Sequence, residues 1–157
     1  EGSPVILEAQ TPEYRWGSRF SIYTGLPTVQ GWNWHQKQQR SVVPGTVIDR
    51  RVAHVREIYE TLDLARAQKL LNYYGVSYII VGELERAYYS PAGLAKFATL
   101  AQQGYLQPVY GGGGVTIYRV IRPGAPVAGS APATGVGPRP VPTPTPLAAQ
   151  PFTSPQE

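Results

Sequence analysis

Prolines are concentrated at the carboxyl end of this chain, and their distribution limits which residues can build a core. Ten of the 16 prolines lie in residues 122–157, whereas all eleven tyrosines and all three tryptophans precede Val120. Aromatic and branched side chains supply the burial that offsets the entropy lost on folding. We therefore expect a single folded domain over residues 1–121. Residues 122–157 would then be a Pro/Ala/Thr-rich tail that is disordered or held by a partner.

The tail has a pattern of its own. Residues 141–146 alternate proline with valine or threonine, which favours an extended polyproline II conformation. Thr143 and Thr145 stand beside prolines, as threonines do in O-glycosylated stalks. These two residues are therefore candidate O-glycosylation sites.

Charge and composition exclude several classes of function. The net charge is +4, and Arg50 and Arg51 are the only adjacent basic pair, whereas a nucleic-acid surface needs a denser basic stripe. The absence of cysteine excludes disulfides, thiolate metal sites and a cysteine nucleophile. His35 and His54 are separated and lack a carboxylate cluster. We therefore expect no nucleic-acid binding, no metal site and no cofactor.

The chain begins at Glu1 rather than at a methionine, and its longest uncharged apolar run in the folded part is residues 76–82. That run is far shorter than the ~20 residues of a membrane-spanning helix. We expect a processed or excised fragment without a span of its own.

The amino-terminal part of the sequence predicts two strands and a loop. Residues 5–9 form a short apolar run that is typical of a buried strand. Residues 19–24 alternate in character and stop before Gly25 and Pro27, which predicts a second strand and a turn. Residues 30–44 are rich in Trp, His, Gln and Arg without a clear period. We predict a long loop there, with room for one helical turn.

The middle of the chain predicts two helices and a central strand. From Asp49 to Leu62, apolar residues recur at spacings of three and four, which is the period of a helix. Asp63 is a suitable N-cap for a second helix, and Gly75 can adopt the left-handed conformation that ends it. Residues 76–81 are apolar on both faces and are expected at the centre of the sheet.

The remainder of the domain predicts a third helix and a hairpin. Ser90 and Pro91 fit the N-cap and first position of that helix, and Gly104 ends it. Residues 105–110 and 115–120 are predicted to form two strands, and the four glycines between them permit a tight turn. The central strand, this helix and the first hairpin strand make a βαβ unit. The predicted fold class is α/β, a small mixed-sheet sandwich with a βαβ unit and a C-terminal β-hairpin, followed by a Pro-rich extended tail.

Residues 14–40 are the strongest candidate for ligand binding, because they contain every tryptophan, one histidine and several planar donors. Aromatic faces beside guanidinium and amide groups suit a sugar or sugar phosphate. The candidate contacts are Arg19, Trp32, His35 and Arg40. The alternative is that the tryptophans pack beneath a loop whose polar residues are solvated.

Glu85 and Arg86 follow the central strand, where ligand crevices occur in parallel α/β sheets. They are therefore further candidates for ligand binding. The alternative is a solvated loop in which the two side chains pair their charges. No residue pattern typical of a catalytic set emerges, so we assign no catalytic residue.

Several stretches of residues 1–121 together resemble one known family. They are residues 24–32 (TGLPTVQGW), His35 with Gln36 and Arg40, residues 76–82 with Glu85 and Arg86, and residues 104–106, 109–110 and 115–118. This set is similar to the Chlor_Arch_YYY family of uncharacterised polytopic membrane proteins. The passage from Thr-Gly-Leu-Pro to Gly-Trp is its most specific part. In the family an acidic residue follows the histidine, and here Gln36 stands in that place.

The resemblance implies a C-terminal domain that follows many membrane helices, in a layout like that of C-superfamily glycosyltransferases. Those enzymes use polyprenyl-phosphate sugars, and their catalytic acids lie in loops between membrane helices. The resemblance therefore implies an extracytoplasmic accessory domain, at the cell surface or tethered to the membrane, that binds sugar or phosphate and is not catalytic alone. Its partners would be the parent membrane domain or a neighbouring surface protein, and a glycan or polyprenyl-phosphate sugar.

The alternative function is a structural or interaction module. Such a module would assemble with itself or with other surface proteins through its sheet edge and its Pro-rich tail. A homo-oligomer is one form that this assembly would take.

Overall fold

A computed structural model describes residues 2–122 of the chain. The predictions for residues 123–157, including those for Thr143 and Thr145, lie outside the described residues. The strands are β1 (Val5–Leu7), β2 (Val76–Val81), β3 (Leu106–Gly112) and β4 (Val115–Val120). The α-helices are α1 (Arg19–Thr24), α2 (Asn33–Gln39), α3 (Gly45–Glu60), α4 (Leu64–Tyr73), α5 (Glu83–Tyr88) and α6 (Pro91–Gln102), and a 3-10 turn (Trp16–Ser18) precedes α1.

The four strands form one mixed sheet in the order β1-β2-β4-β3. β1 pairs with β2 in parallel, and β4 pairs antiparallel with both β2 and β3. The α/β fold class and the C-terminal hairpin are therefore confirmed, and β2 is an interior strand as predicted. β2 and β3 run in the same direction on either side of β4. The predicted βαβ unit is thus split, because β4 lies between its two strands.

The core lies between one face of the sheet and helices α3, α4 and α6. Tyr59, Phe97 and Ile79 are fully buried there and belong to a single apolar cluster. The Tyr59 hydroxyl lies 3.2 Å from the carbonyl oxygen of Leu7 and 2.9 Å from that of Ile80. This hydroxyl therefore links β1, β2 and α3 at the centre of the domain.

The predicted helix boundaries from residue 63 onward are confirmed. The Asp63 carboxylate accepts from the N–H of Arg66 at 3.0 Å, and the Ser90 hydroxyl accepts from the N–H of Gly93 at 3.1 Å. Gly75 follows the end of α4 with φ of 62°, which is the left-handed conformation that glycine adopts without strain.

The strand predicted over residues 19–24 is wrong, because those residues form helix α1. The buried Glu8 carboxylate accepts from the N–H groups of Phe20 (2.9 Å) and Ser21 (3.2 Å) and so caps the helix from a distant part of the chain. Burial raises the pKa of Glu8, and these two bonds oppose that rise. A partner 12 residues away leaves no local signal in the sequence.

The loop predicted over residues 30–44 contains the seven-residue helix α2. The Glu13 carboxylate accepts from the N–H of Trp34 at 2.9 Å at the start of this helix, and that hydrogen bond lowers the pKa of Glu13. A salt bridge of 2.6 Å between Lys37 and Asp49 then joins α2 to α3. These contacts hold α2 against the body of the domain.

Candidate functional site

A cavity of about 450 Å³ lies among α1, α2, α3 and the segment that links the first two helices. Trp32, His35 and Arg40 all line this cavity, so the structure brings together three of the six sequence-predicted ligand residues. Arg51 of α3 also lines it. We call this space the arginine cavity.

Helix α2 sets the spacing of the predicted residues. Trp32 is the N-cap residue of α2 and Arg40 is its C-cap residue, with His35 in the first turn. Residues three and four apart share a face of a helix, so Trp32, His35 and Gln36 turn toward the same side. All three line the arginine cavity.

Trp32 and His35 belong to a compact aromatic cluster with Tyr14. The ring centroids are 5.3 Å apart for Trp32 and His35, 5.7 Å for Tyr14 and Trp32, and 5.5 Å for Tyr14 and His35. The Trp32 indole N–H also donates to the carbonyl oxygen of Arg15 at 3.2 Å. The cluster therefore holds both rings in place at the wall of the cavity.

Two polar atoms at the arginine cavity are buried without a hydrogen-bond partner in the described residues. They are Nδ1 of His35 and Oγ1 of Thr28. Buried polar atoms are normally paired, because an unpaired one costs about 1–3 kcal/mol. Both are enclosed by the protein itself, so neither atom is open to a ligand in the cavity.

The charge of the arginine cavity is positive. Neither Arg40 nor Arg51 forms an ion pair within the described range 2–122. No aspartate or glutamate is among the residues that line the cavity. Two guanidinium groups without a carboxylate partner favour an anionic ligand, since guanidinium binds phosphate and carboxylate oxygens in a bidentate manner.

Arg19 and Glu85 meet at a different place, beneath Gly82 at the carboxyl end of β2. Arg19 Nη2 donates to Glu85 Oε2 at 3.0 Å, and the Glu85 side chain is fully buried. Glu85 also accepts from the N–H groups of Ala9 (2.9 Å) and Gly82 (2.8 Å). Both carboxylate oxygens are thus occupied by groups of the protein, and this arrangement links β1, β2 and α1.

The alternative of a solvated loop at residues 85 and 86 is wrong, because Glu85 is buried within helix α5. Arg86 is exposed and does not pair with Glu85. Its Nη1 instead donates to the carbonyl oxygen of Gly114 in the hairpin turn at 2.6 Å. Arg19, Glu85 and Arg86 therefore do not line the arginine cavity.

Sequence reasoning missed several residues of the arginine cavity, among them Arg51 and Thr28. Arg51 is charged, which alone predicts solvation, but it lies three residues after buried Ile48 and four before buried Val55, and it is half-buried. Thr28 carries no distinctive signal. Its position follows from Ile6, whose N–H donates to the carbonyl oxygen of Pro27 at 2.8 Å and so holds residues 27–29 along β1.

Across residues 2–122, no group of three or more His, Asp or Glu side chains is placed to hold a metal ion. None of the helices in that range combines the length and the apolar character needed to cross a bilayer. Comparison with known proteins adds no relative: the chain matches no protein-family model and has no significant match among curated proteins.

Proposed function

We propose that the domain is an accessory binding module that recognises a phosphorylated sugar in the arginine cavity. One observation carries the proposal: two unpaired arginines and the Trp32–His35 pair face one cavity whose lining contains no carboxylate. The arginines would bind the phosphate, and the aromatic pair would contact the sugar.

The size of the cavity suits the same class of ligand. A volume of about 450 Å³ lies in the ordinary range for small-ligand sites, which is roughly 300–1,000 Å³.

The biological setting follows from the resemblance to the Chlor_Arch_YYY family. We propose an extracytoplasmic domain, attached to a glycosyltransferase-like membrane protein, that binds the head group of a polyprenyl-phosphate sugar while the parent protein supplies catalysis. The reading frame upstream of Glu1 tests this setting. Many hydrophobic segments before Glu1 would support it, and their absence would contradict it.

Isothermal titration calorimetry tests ligand binding directly. The probes are α-D-glucose 1-phosphate, inorganic phosphate and D-glucose. We expect saturable binding of the sugar phosphate, weaker binding of phosphate and weakest binding of glucose. Arg40→Ala and Arg51→Ala should each weaken sugar-phosphate binding about tenfold, because hydrogen bonds between charged groups contribute roughly 1.5–3 kcal/mol.

Arg50→Ala is the matched control. Arg50 is the exposed neighbour of Arg51 on α3 and does not line the cavity, so its removal changes the net charge equally. Equal losses from Arg50→Ala and Arg51→Ala would mean that only overall charge matters. That result, or no binding of any probe, would contradict the proposal.

A second candidate function, an interaction module, is favoured by an exposed aromatic surface. Trp16 and Tyr23 are 63 % and 76 % exposed and stack on each other with ring centroids 6.3 Å apart. Exposed Trp and Tyr side chains are enriched where proteins bind each other. The sheet offers less for assembly, since residues 27–29 cover the outer edge of β1 and Pro108 removes an N–H donor from edge strand β3.

Light scattering coupled to size-exclusion chromatography tests self-assembly through this surface. If the surface self-associates, the mass of the full chain rises with concentration and the double variant Trp16→Ala/Tyr23→Ala is monomeric. Tyr73→Ala is the control, because Tyr73 is equally exposed at 71 % but lies on α4. A monomer at all concentrations would exclude self-assembly.

A further inference from the structure

A second cavity of about 430 Å³ lies beyond the carboxyl end of β1. Its walls come from residues 10–13, from Asn33, from Arg56 of α3 and from Tyr88 and Tyr89. We propose that this cavity binds a neutral polyhydroxylated ligand, a sugar ring or a polyol. We call it the tyrosine cavity.

The position of the tyrosine cavity suits ligand binding. Residues 10–13 follow β1, and Tyr88 and Tyr89 end the helix that follows β2, so both walls come after the carboxyl ends of the parallel pair. Ligands of α/β proteins commonly bind outside the carboxyl ends of parallel strands. The arginine cavity, in contrast, is formed by helices and the segment between α1 and α2.

The tyrosine cavity is lined by a donor without an acceptor in the described part of the chain. The Tyr89 hydroxyl accepts from the N–H of Gln10 at 2.9 Å, and the same part of the chain offers no acceptor for its own proton. Burial raises the pKa of Tyr89 to about 12, so the hydroxyl keeps that proton at neutral pH.

A ligand hydroxyl group suits these walls, because it can accept from the Tyr89 hydroxyl and donate to the Glu13 carboxylate. A phosphate dianion can only accept, so it would offer Glu13 no donor and would place a like charge beside it. The hydrogen-bonding groups of this cavity are therefore those that a hydroxyl-rich ligand binds.

The charges of the tyrosine cavity are mixed, in contrast to those of the arginine cavity. Arg56 and Glu13 both line it, and their charges are opposite. The N–H of Trp34 lowers the pKa of Glu13, which keeps that carboxylate ionised. A guanidinium donor and a carboxylate acceptor around one space suit several hydroxyl groups and do not select an ion of either sign.

Tyr88 completes the set of contacts. Its side chain is 42 % exposed at the wall of the cavity, so part of its ring is open to a ligand. Aromatic rings offer an apolar surface for the C–H groups of a sugar, while the polar groups bind its hydroxyls. The volume of about 430 Å³ is many times the roughly 30 Å³ that one water molecule occupies, so a single water does not fill the space.

The lining residues of the two cavities do not overlap. The inference about the tyrosine cavity therefore does not rest on sugar-phosphate binding in the arginine cavity, and separate variants test each one.

An NMR titration of the ¹⁵N-labelled full chain tests the proposal. The probes are D-glucose, D-mannose and myo-inositol, raised to about 100 mM because a ligand held by a few hydrogen bonds binds in the millimolar range. At least one probe should cause saturable shifts in the backbone amides of residues 10, 11, 13, 88 and 89 and in the Asn33 side-chain amide. Glu13→Gln and Tyr89→Phe should each weaken that binding about three- to tenfold.

Glu83→Gln is the matched control, since Glu83 is an exposed glutamate at the start of α5 that does not line the cavity, and it should leave the affinity unchanged. Thermal unfolding of each variant establishes that it is folded. No saturable shift with any of the three probes would overturn the proposal, as would equal affinities for the wild type and both cavity variants. Binding that Arg40→Ala abolishes would place the sugar in the arginine cavity and would also overturn it, without contradicting sugar-phosphate binding there.

Discussion

Glu85→Ala should lower the free energy of unfolding by about 4 kcal/mol. Glu85 is fully buried and accepts hydrogen bonds from the N–H groups of Ala9 and Gly82 and from the Arg19 guanidinium. Each buried N–H left without an acceptor costs about 1–3 kcal/mol. The Arg19 side chain is 20 % exposed, so it recovers part of its hydration and adds less than a fully buried charge would.

The assay is urea unfolding of the full chain followed by circular dichroism, with thermal unfolding as a second readout. A loss of about 4 kcal/mol corresponds to a decrease in Tm of about 15 °C for a domain of this size. Glu85→Gln keeps the shape and one acceptor oxygen, and it should lose about 2 kcal/mol because the pair with Arg19 loses its charge.

Glu83→Ala is the control, because Glu83 is exposed in the first turn of the same helix. It should cost at most about 1 kcal/mol, which is the size of a favourable charge at a helix N-terminus. A loss below 1 kcal/mol for Glu85→Ala, or equal losses at positions 83 and 85, would refute the role of Glu85 in linking β1, β2 and α1.

Two further predictions concern the contact between α3 and α6. Burial lowers the pKa of Lys96 to about 8, so the unfolded chain binds more protons than the folded chain between pH 8 and 10.5, and the free energy of unfolding rises with pH in that range. In urea titrations, the free energy of unfolding should rise by about 2 kcal/mol from pH 7 to 9.5. The rise should be absent in Lys96→Met and retained in Lys69→Met, which is the control at an exposed site. A flat wild-type profile would contradict this prediction. Gly93→Ala would place a Cβ against the Tyr59 carbonyl and 3.0 Å from Glu60 Cα, and it should lower the free energy of unfolding by about 2 kcal/mol. The control is Gly111→Ala, which has open space at its Cβ and should lower the free energy of unfolding by less than half as much. Equal losses of stability in the two variants would contradict the close approach of α3 and α6.

The elements with local signals were predictable from the sequence. Asp63 and Ser90 each cap a helix within three residues of their own position, and Gly75 and Gly104 end helices by their own backbone conformation. The interior strand β2 is apolar on both faces, and four of its six residues are buried. In each case the cause lies within one turn or one strand of the residue that reveals it.

The elements that depend on distant partners were not predictable. Helix α1 has the alternating pattern of a strand, and the Glu8 carboxylate stabilises it as a helix through two of its N–H groups. The sequence of residues 83–88 is typical of a charged loop, but these residues form helix α5. The helix contains Glu85, whose hydrogen-bond partners include a residue 76 positions away. Neither distant contact can be inferred from residues within one turn of its helix, although Glu85 also accepts locally from the N–H of Gly82.

The candidate site shows the same division. Trp32, His35 and Arg40 were chosen from composition, and helix α2 gathers them because they are close in sequence. Arg19 and Glu85 were chosen with them, but they pair with each other inside the domain. Charge and residue type are the same for a ligand contact and for a buried salt bridge, so only the fold separates the two.

The central claim is that the arginine cavity binds a phosphorylated sugar. The most direct measurement follows the imidazole NMR signals of His35 while α-D-glucose 1-phosphate is added to the full chain, with D-glucose added to a parallel sample. The account predicts that the sugar phosphate shifts these signals in a saturable manner, that Arg51→Ala needs about tenfold more sugar phosphate for the same shift, and that His54 is unaffected. Unchanged His35 signals, or equal shifts with glucose and its phosphate, would contradict the claim.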